Sequence, residues 1–371
     1  MIERLRDVIV NAKNNEITYE QYMDIVLYDP IQGYYMKEGE KVGTKGDFIT
    51  SSNISTIFGK LFATLFHKLI NEQQITPIIC EIGGGNGRFA KAVLNELALK
   101  HKETYEKIKY IIIETSPYHL RLQQELLPVC EKVVQYRSLD EAKKEFPSFN
   151  GIIFSNELFD AFPVRVIEKR DNSIHEVKIA MNKESQLYET FSPLVDEEIL
   201  EYLTKYKISL VNGQRFEVPL AMNRYLEKIE GFLGKGTIFT VDYGYTNEEW
   251  CQSIHRDGSL RGYINHQLIK NPLLHPGDMD LTTHIHFDTL ITYGSELGLE
   301  FVKIMRQDKF LVSAGILQFL EENYDPNPFS EQSKQNRAIR SLIIDGSMSS
   351  AFHVVIQQKD TFINWGHVLG G

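Results

Sequence analysis

The sequence predicts an α/β fold, a doubly wound, Rossmann-like sheet of parallel strands, and three observations predict it. Short apolar runs alternate with helix-length amphipathic segments along most of the chain. A glycine-rich turn, Glu81-Ile82-Gly83-Gly84-Gly85-Asn86-Gly87, follows the first apolar run and precedes a helical stretch. With 371 residues, 42% of them hydrophobic, the chain can fill a large core and carry additions to it.

Taken in order, residues 1–28 read as helix. Ile2, Leu5, Val8 and Ile9 follow helical spacing, and Thr18 with Gln21 forms a capping box that opens a second helix. Asp29-Pro30 ends it. The loop 33–50 carries Gly33, Gly39, Gly43 and Gly46, and loops of that length are commonly functional. Residues 55–70 form an amphipathic helix. Strands are predicted at 77–82, 110–113, 133–136, 151–155 and 237–241, with helices at 88–99 and from Ser116-Pro117 onward. Residues 164–235 break this rhythm. There 164–169 and 175–180 pair around Asp171-Asn172, followed by an extended stretch at 216–219 and a helix at 223–232. A helix at 287–297 and strands at 301–305 and 353–357 return to the core. The expected domains are an N-terminal helical extension with a covering loop (1–70), a core (71–163 and 236–371) and an inserted α+β subdomain (164–235).

The formal net charge of -10 argues against nucleic acid as the main partner and leaves room for a basic peptide or protein. The three cysteines, Cys80, Cys130 and Cys251, are far apart and show no metal or redox spacing, which fits a reducing compartment. No apolar run approaches the ~20 residues of a membrane span, and the N-terminus carries no signal-peptide pattern. A cytoplasmic protein is expected.

The glycine loop narrows the cofactor. A dinucleotide fingerprint starting at Gly83 and Gly85 would require glycine at position 88, where the chain has Arg88. The spacing is instead acidic-x-Gly-x-Gly-x-Gly through Glu81, Gly83, Gly85 and Gly87. Glu114, at the end of the second strand, is an acceptor suited to two ribose hydroxyls.

That spacing resembles motif I of class I methyltransferases. Other motifs agree with it in order. Asp29-Pro30 with Gly33-Tyr34-Tyr35 is similar to a YDPxxGYY signature, and Gly46-Asp47-Phe48-Ile49-Thr50 to GDFxT. Asn156-Glu157-Leu158-Phe159-Asp160-Ala161-Phe162-Pro163-Val164 is similar to NExxDAxPV, Asp242-Tyr243-Gly244-Tyr245 to DYGY, and Asp280-Leu281-Thr282-Thr283-His284-Ile285 to DITAHV. Together they resemble the MidA-type family, relatives of the mitochondrial methyltransferase that assists complex I assembly. The resemblance implies a class I methyltransferase fold, S-adenosylmethionine as donor with S-adenosylhomocysteine as product, and a protein substrate methylated on arginine. It also implies a cofactor set of Gly46, Asp47, Thr50, Glu81, Gly83, Gly85, Gly87, Glu114, Ser138, Leu139 and Asn156. The chain departs from the family at Ser52-Asn53-Ile54 and at Phe58-Gly59-Lys60, where Pro-Glu-Ile and FGE are usual.

On the acceptor side, Glu157 and Asp160 follow the fourth strand, at the carboxyl edge where ligands sit in such sheets. Three residues apart, they can face one way. Glu157 is expected to be the principal substrate carboxylate, with Asp160, Asp242 and His284 in support; Asp160 could equally cap a helix or hold the loop. Tyr34, Tyr35, Tyr243 and Tyr245 offer aromatic walls. His284 and His286 lack further ligands at metal spacing, so no metal is expected. A homodimer is compatible with the sequence. Two rival functions stand beside protein-arginine methylation: methylation of a small molecule or another side chain, and an assembly factor with a vestigial cofactor site.

Overall fold

The computed structural model describes residues 1–39, 41, 56–127, 132–320, 327, 329–344 and 351–370. The chain divides into two compact units. The first gathers Met1–Phe48, Phe159–Leu226 and Gly244–Tyr293; the second gathers Ile49–Leu158, Glu227–Tyr243 and Gly294–Gly371.

The main sheet is built from β1 (Ile78–Ile82), β2 (Lys109–Ile113), β3 (Val133–Tyr136), β4 (Phe149–Asn156), β5 (Leu233–Tyr245), β6 (Glu300–Arg306) and β7 (Phe352–Lys359). Their order is β6-β7-β5-β4-β1-β2-β3. The strands from β1 to β5 pair in parallel, and β7 runs antiparallel between β5 and β6. This is the α/β sheet that the alternating apolar runs predict. The strand order reverses between β1 and β4, and the crevice at such a reversal is where open α/β sheets take their ligands. The glycine loop leaves β1 there, and Asn156-Glu157 leaves β4.

Both faces of this sheet are covered, which explains why β1 and β4 read as continuous apolar runs. The helix Thr56–Glu72 buries Phe58, Phe62 and Phe66. Phe62 meets Phe154 of β4 with ring centroids 4.8 Å apart, and Phe89 stacks on Phe154 at 4.3 Å. Truncating Phe62 to alanine in such a core costs about 3–5 kcal/mol.

In the first unit, Ile17–Thr18, Ser173–Met181, Arg165–Arg170 and Arg215–Val218 form an antiparallel sheet in that order, and Leu187–Pro193 also pairs with Ser173–Met181. Asp171 and Asn172 sit at φ +47° and +63°, the left-handed pair that a two-residue hairpin turn demands. The capping box forms as read: Thr18 accepts from the Gln21 backbone and Gln21 accepts from Thr18. The helices Ile2–Asn11 and Tyr19–Tyr28 bury Leu5, Ile9, Tyr22 and Val26 with Val166, Val177 and Ile179 of this sheet. The N-terminal helices therefore share a core with the insertion, whereas Thr56–Glu72, grouped with them on sequence, lies in the second unit. Residues 244–293 also join the first unit. They carry a small sheet, Gln267–Ile269, Arg261–Ile264 and Asp280–Thr282, whose strands are too short to show a period.

Candidate active site

The loop after β1 holds Gly83, Gly85 and Gly87 at φ +74°, +50° and +78°, a left-handed backbone that other residues adopt at a cost of about 1–2 kcal/mol each. The glycines differ in what surrounds them. A Cβ on Gly84 would come within 2.5 Å of Ile112, so this position is closed by packing. A Cβ on Gly85 would meet nothing within 4 Å. The turn thus keeps open space above Gly85. Gly87 is the N-cap of the helix Arg88–Lys100, whose first amide, that of Arg88, donates to Asn86 Oδ1 at 3.1 Å.

Two acids frame the loop. Glu114 follows β2 and is buried; its Oε2 accepts from the Gly85 amide at 2.8 Å and its Oε1 from the Ser116 amide at 2.8 Å. Each oxygen keeps a second lone pair for a hydroxyl. Glu81 is buried at the end of β1 and accepts from the Tyr110 hydroxyl at 2.7 Å. Burial pushes its carboxyl up to about 8, and the charge of Glu114 adds to the rise.

Glu157 and Asp242 stand at the carboxyl ends of neighbouring strands in the second unit. Glu157 has φ +52°, a strained value for a non-glycine residue. Its amide donates to the carbonyl of Val241 on β5 at 2.9 Å, and its Oε1 accepts from Asn156 Nδ2 at 3.0 Å. Asp242 is fully buried, with the Tyr243 amide donating to Oδ1 at 2.9 Å.

Asp160 and His284 belong to the first unit. Asp160 is buried; Thr282 Oγ1 donates to its Oδ2 at 3.0 Å and the Thr283 amide to its carbonyl at 2.8 Å. It ties its own turn to the segment 282–283, which is the loop-holding role. Tyr28 and Tyr35 complete that packing: Tyr28 donates to the Ala161 carbonyl at 2.9 Å and Tyr35 to Asp280 at 2.6 Å. The YDPxxGYY and DITAHV segments and residues 159–164 of NExxDAxPV thus meet in one folded unit, while Asn156 and Glu157 belong to the other. His284 is buried, and its ring stacks on Tyr245 at 4.3 Å. Burial first, and then the Arg261 guanidinium, push its imidazole down to about 2, so the ring is neutral at physiological pH.

Comparisons with known proteins agree with this geometry. The model of a family of S-adenosyl-L-methionine-dependent methyltransferases matches residues 57–305. The chain belongs to that family. A protein arginine methyltransferase NDUFAF7 homolog, mitochondrial, from Caenorhabditis elegans is 27% identical over 77% of this chain and 72% of its own length. The mitochondrial protein arginine methyltransferase NDUFAF7 of Rattus norvegicus is 25% identical over 94% and 83%. A Burkholderia thailandensis protein solved bound to S-adenosyl-homocysteine superposes with a TM-score of 0.87 at 25% identity, covering 98% of this chain and 92% of that one.

The enzyme is therefore an S-adenosylmethionine-dependent methyltransferase. Its loop suits that donor: open space at Gly85, a helix N-terminus after Gly87 and a carboxylate at Glu114 match an adenosyl group with its ribose hydroxyls. Ser138 caps the helix Leu139–Glu145, accepting from the Glu141 amide at 3.1 Å, and Leu139 is buried. Gly46, Asp47 and Thr50 lie outside the described residues. Sequence reasoning missed Gln123. This fully buried side chain donates from Nε2 to the Gly85 carbonyl at 2.7 Å and accepts from Gln135 Nε2 at 2.7 Å. A glutamine on the helix Pro117–Leu126 gives no sign in the sequence that it faces inward.

Proposed function

We propose that this methyltransferase methylates arginine side chains of a protein substrate, with Glu157 as the residue that holds the guanidinium. The observation that carries the reading is the strained backbone of Glu157 at the carboxyl end of β4, since strain of this kind persists where surrounding structure and function require it. The NDUFAF7 relatives, named protein arginine methyltransferases, support the substrate class.

The donor, when bound, supplies a methyl group on a positively charged sulfonium. The chain's own task lies with the acceptor. An arginine guanidinium has a pKa above about 12 and is a poor nucleophile. A carboxylate at Glu157 accepting its N–H groups holds the planar fork in one orientation and offsets its charge. That presents one nitrogen in line for attack. As the new N–C bond forms, the S–CH3 bond of the sulfonium would break with its electron pair staying on sulfur as the neutral thioether product, and the proton released from the methylated nitrogen passes to solvent water. A cytoplasmic setting is part of the proposal and fits the free thiols of Cys80 and Cys251; subcellular fractionation tests it.

The test is mass spectrometry of tryptic peptides from cells with the gene, without it, and with Glu157→Gln in its place. We expect specific arginine methylation that disappears without the gene and is not restored by the variant. In vitro, Glu157→Gln should lower kcat by about 100-fold or more while leaving S-adenosylhomocysteine affinity intact. Methylation confined to small molecules, or full activity in the variant, would overturn the reading.

A further inference from the structure

The helix Pro117–Leu126 buries two residues, and both are polar: His119 and Gln123. They lie one turn apart, so they share a face. An inward helix face is ordinarily apolar, because a buried polar group without a partner costs about 1–3 kcal/mol. Gln123 has its partners, the Gly85 carbonyl at 2.7 Å and Gln135 at 2.7 Å. The imidazole of His119 has none of that quality. Its Nδ1 stands 3.7 Å from Glu114 Oε2, which is longer than a hydrogen bond. Among the described residues no other polar side chain meets the ring.

Glu114, Gly85, His119 and Gln123 all belong to the second unit. Glu114 Oε2, the oxygen that His119 faces, also accepts from the Gly85 amide at 2.8 Å, and the space where Gly85 would carry a Cβ is empty to 4 Å. A carboxylate only accepts, so the imidazole proton belongs on Nδ1, the nitrogen turned toward it. An acceptor and a donor 3.7 Å apart suit a single hydroxyl placed between them. That hydroxyl donates its proton to Oε2 and accepts from Nδ1–H through a lone pair, at about 2.8 Å from each. Glu114 alone takes any N–H or O–H. The pair selects a group that donates and accepts at once, which a hydroxyl does and an ammonium does not.

We propose that His119 is a specificity residue for the ribose of the methyl donor, forming with Glu114 an acceptor and donor pair that takes one ribose hydroxyl. The hydroxyl supplies the partner that the buried imidazole otherwise lacks, and the imidazole fills the lone pair that the hydroxyl keeps after donating to the carboxylate. This inference deepens the methyl-transfer reading and rests on its donor.

The experiment titrates wild type, His119→Leu, His119→Asn and His119→Gln with S-adenosylhomocysteine and with its 2′-deoxy and 3′-deoxy analogues, directly or by competition. His119→Leu should weaken S-adenosylhomocysteine about tenfold. It should leave one of the two analogues within about twofold of its wild-type affinity, because the hydroxyl that His119 holds is already missing from that ligand. His119→Asn keeps an N–H near the place of Nδ1 and recovers part of the affinity, whereas His119→Gln carries its N–H toward the place of Nε2 and recovers little. Should His119→Leu fail to fold, His119→Gln carries the same comparison. A role through the placement of Glu114 alone, or a water held between the two groups, makes the substitution weaken all three ligands by one factor, and that result overturns the proposal. So does an affinity for S-adenosylhomocysteine that stays within about twofold of wild type. Equal losses across the ligands leave the donor standing; failure of wild type to bind S-adenosylhomocysteine at all would remove the donor and this proposal with it.

Discussion

At Glu157 a backbone angle and a side chain pull in opposite directions. The left-handed φ of +52° is one that glycine adopts freely. Replacing Glu157 with glycine should therefore add up to about 1 kcal/mol of stability, read as a higher melting temperature, while abolishing methyl transfer. A variant that melts lower than wild type would show that the carboxylate contributes more to folding than to function. Glu81 gives a prediction of a different kind. Its folded-state pKa of about 8 stands above the ordinary 4.5. Between those values the folded chain holds a proton that the unfolded chain has lost. The stability from this group is therefore full below the lower value, declines as pH rises, and is gone above the higher one. Glu81→Gln mimics the protonated form at every pH. Its melting temperature should gain on wild type between about pH 5 and about pH 8.5, and a difference that stays constant across that range contradicts the assignment.

At the scale of elements, the glycine loop is held by a helix that the sequence does not advertise as part of the site. Gln123, on Pro117–Leu126, joins the Gly85 carbonyl to Gln135. Gln123→Leu should cost about 1–3 kcal/mol, since it removes the partner of the half-buried Gly85 carbonyl and of Gln135, and should weaken S-adenosylhomocysteine binding in parallel. Lost stability with unchanged affinity would make Gln123 a packing residue only; calorimetry and thermal melting measured together separate the outcomes. The contrast with the loop shows what a sequence can and cannot display. Alternate glycines at 83, 85 and 87 are visible because a left-handed turn restricts residue type. The hairpin at Asp171-Asn172 and the box at Thr18 and Gln21 are visible for the same reason: local geometry selects the residues. Gln123 facing inward, or Asp160 bonding to Thr282, depends on partners distant in the chain, and no local pattern records that.

For the molecule as a whole, the chain passes between its two units repeatedly, so neither unit is one stretch of sequence. The central strands β1, β2 and β4 are readable because they are buried along most of their length and mostly apolar. The grouping of Met1–Phe48 with Phe159–Leu226 and Gly244–Tyr293 was not, because it rests on long-range packing such as Tyr22 donating to the Pro272 carbonyl. Everything proposed for this enzyme depends on a donor seated against the loop at Gly85. The most direct measurement is a calorimetric titration with S-adenosylhomocysteine of wild type, Gly85→Val and Glu157→Gln, each checked for folding. Saturable binding by wild type and Glu157→Gln, with none by a folded Gly85→Val, is the predicted result. Equal affinity in Gly85→Val would contradict it, because a side chain would then occupy the open space above the loop without displacing the ligand.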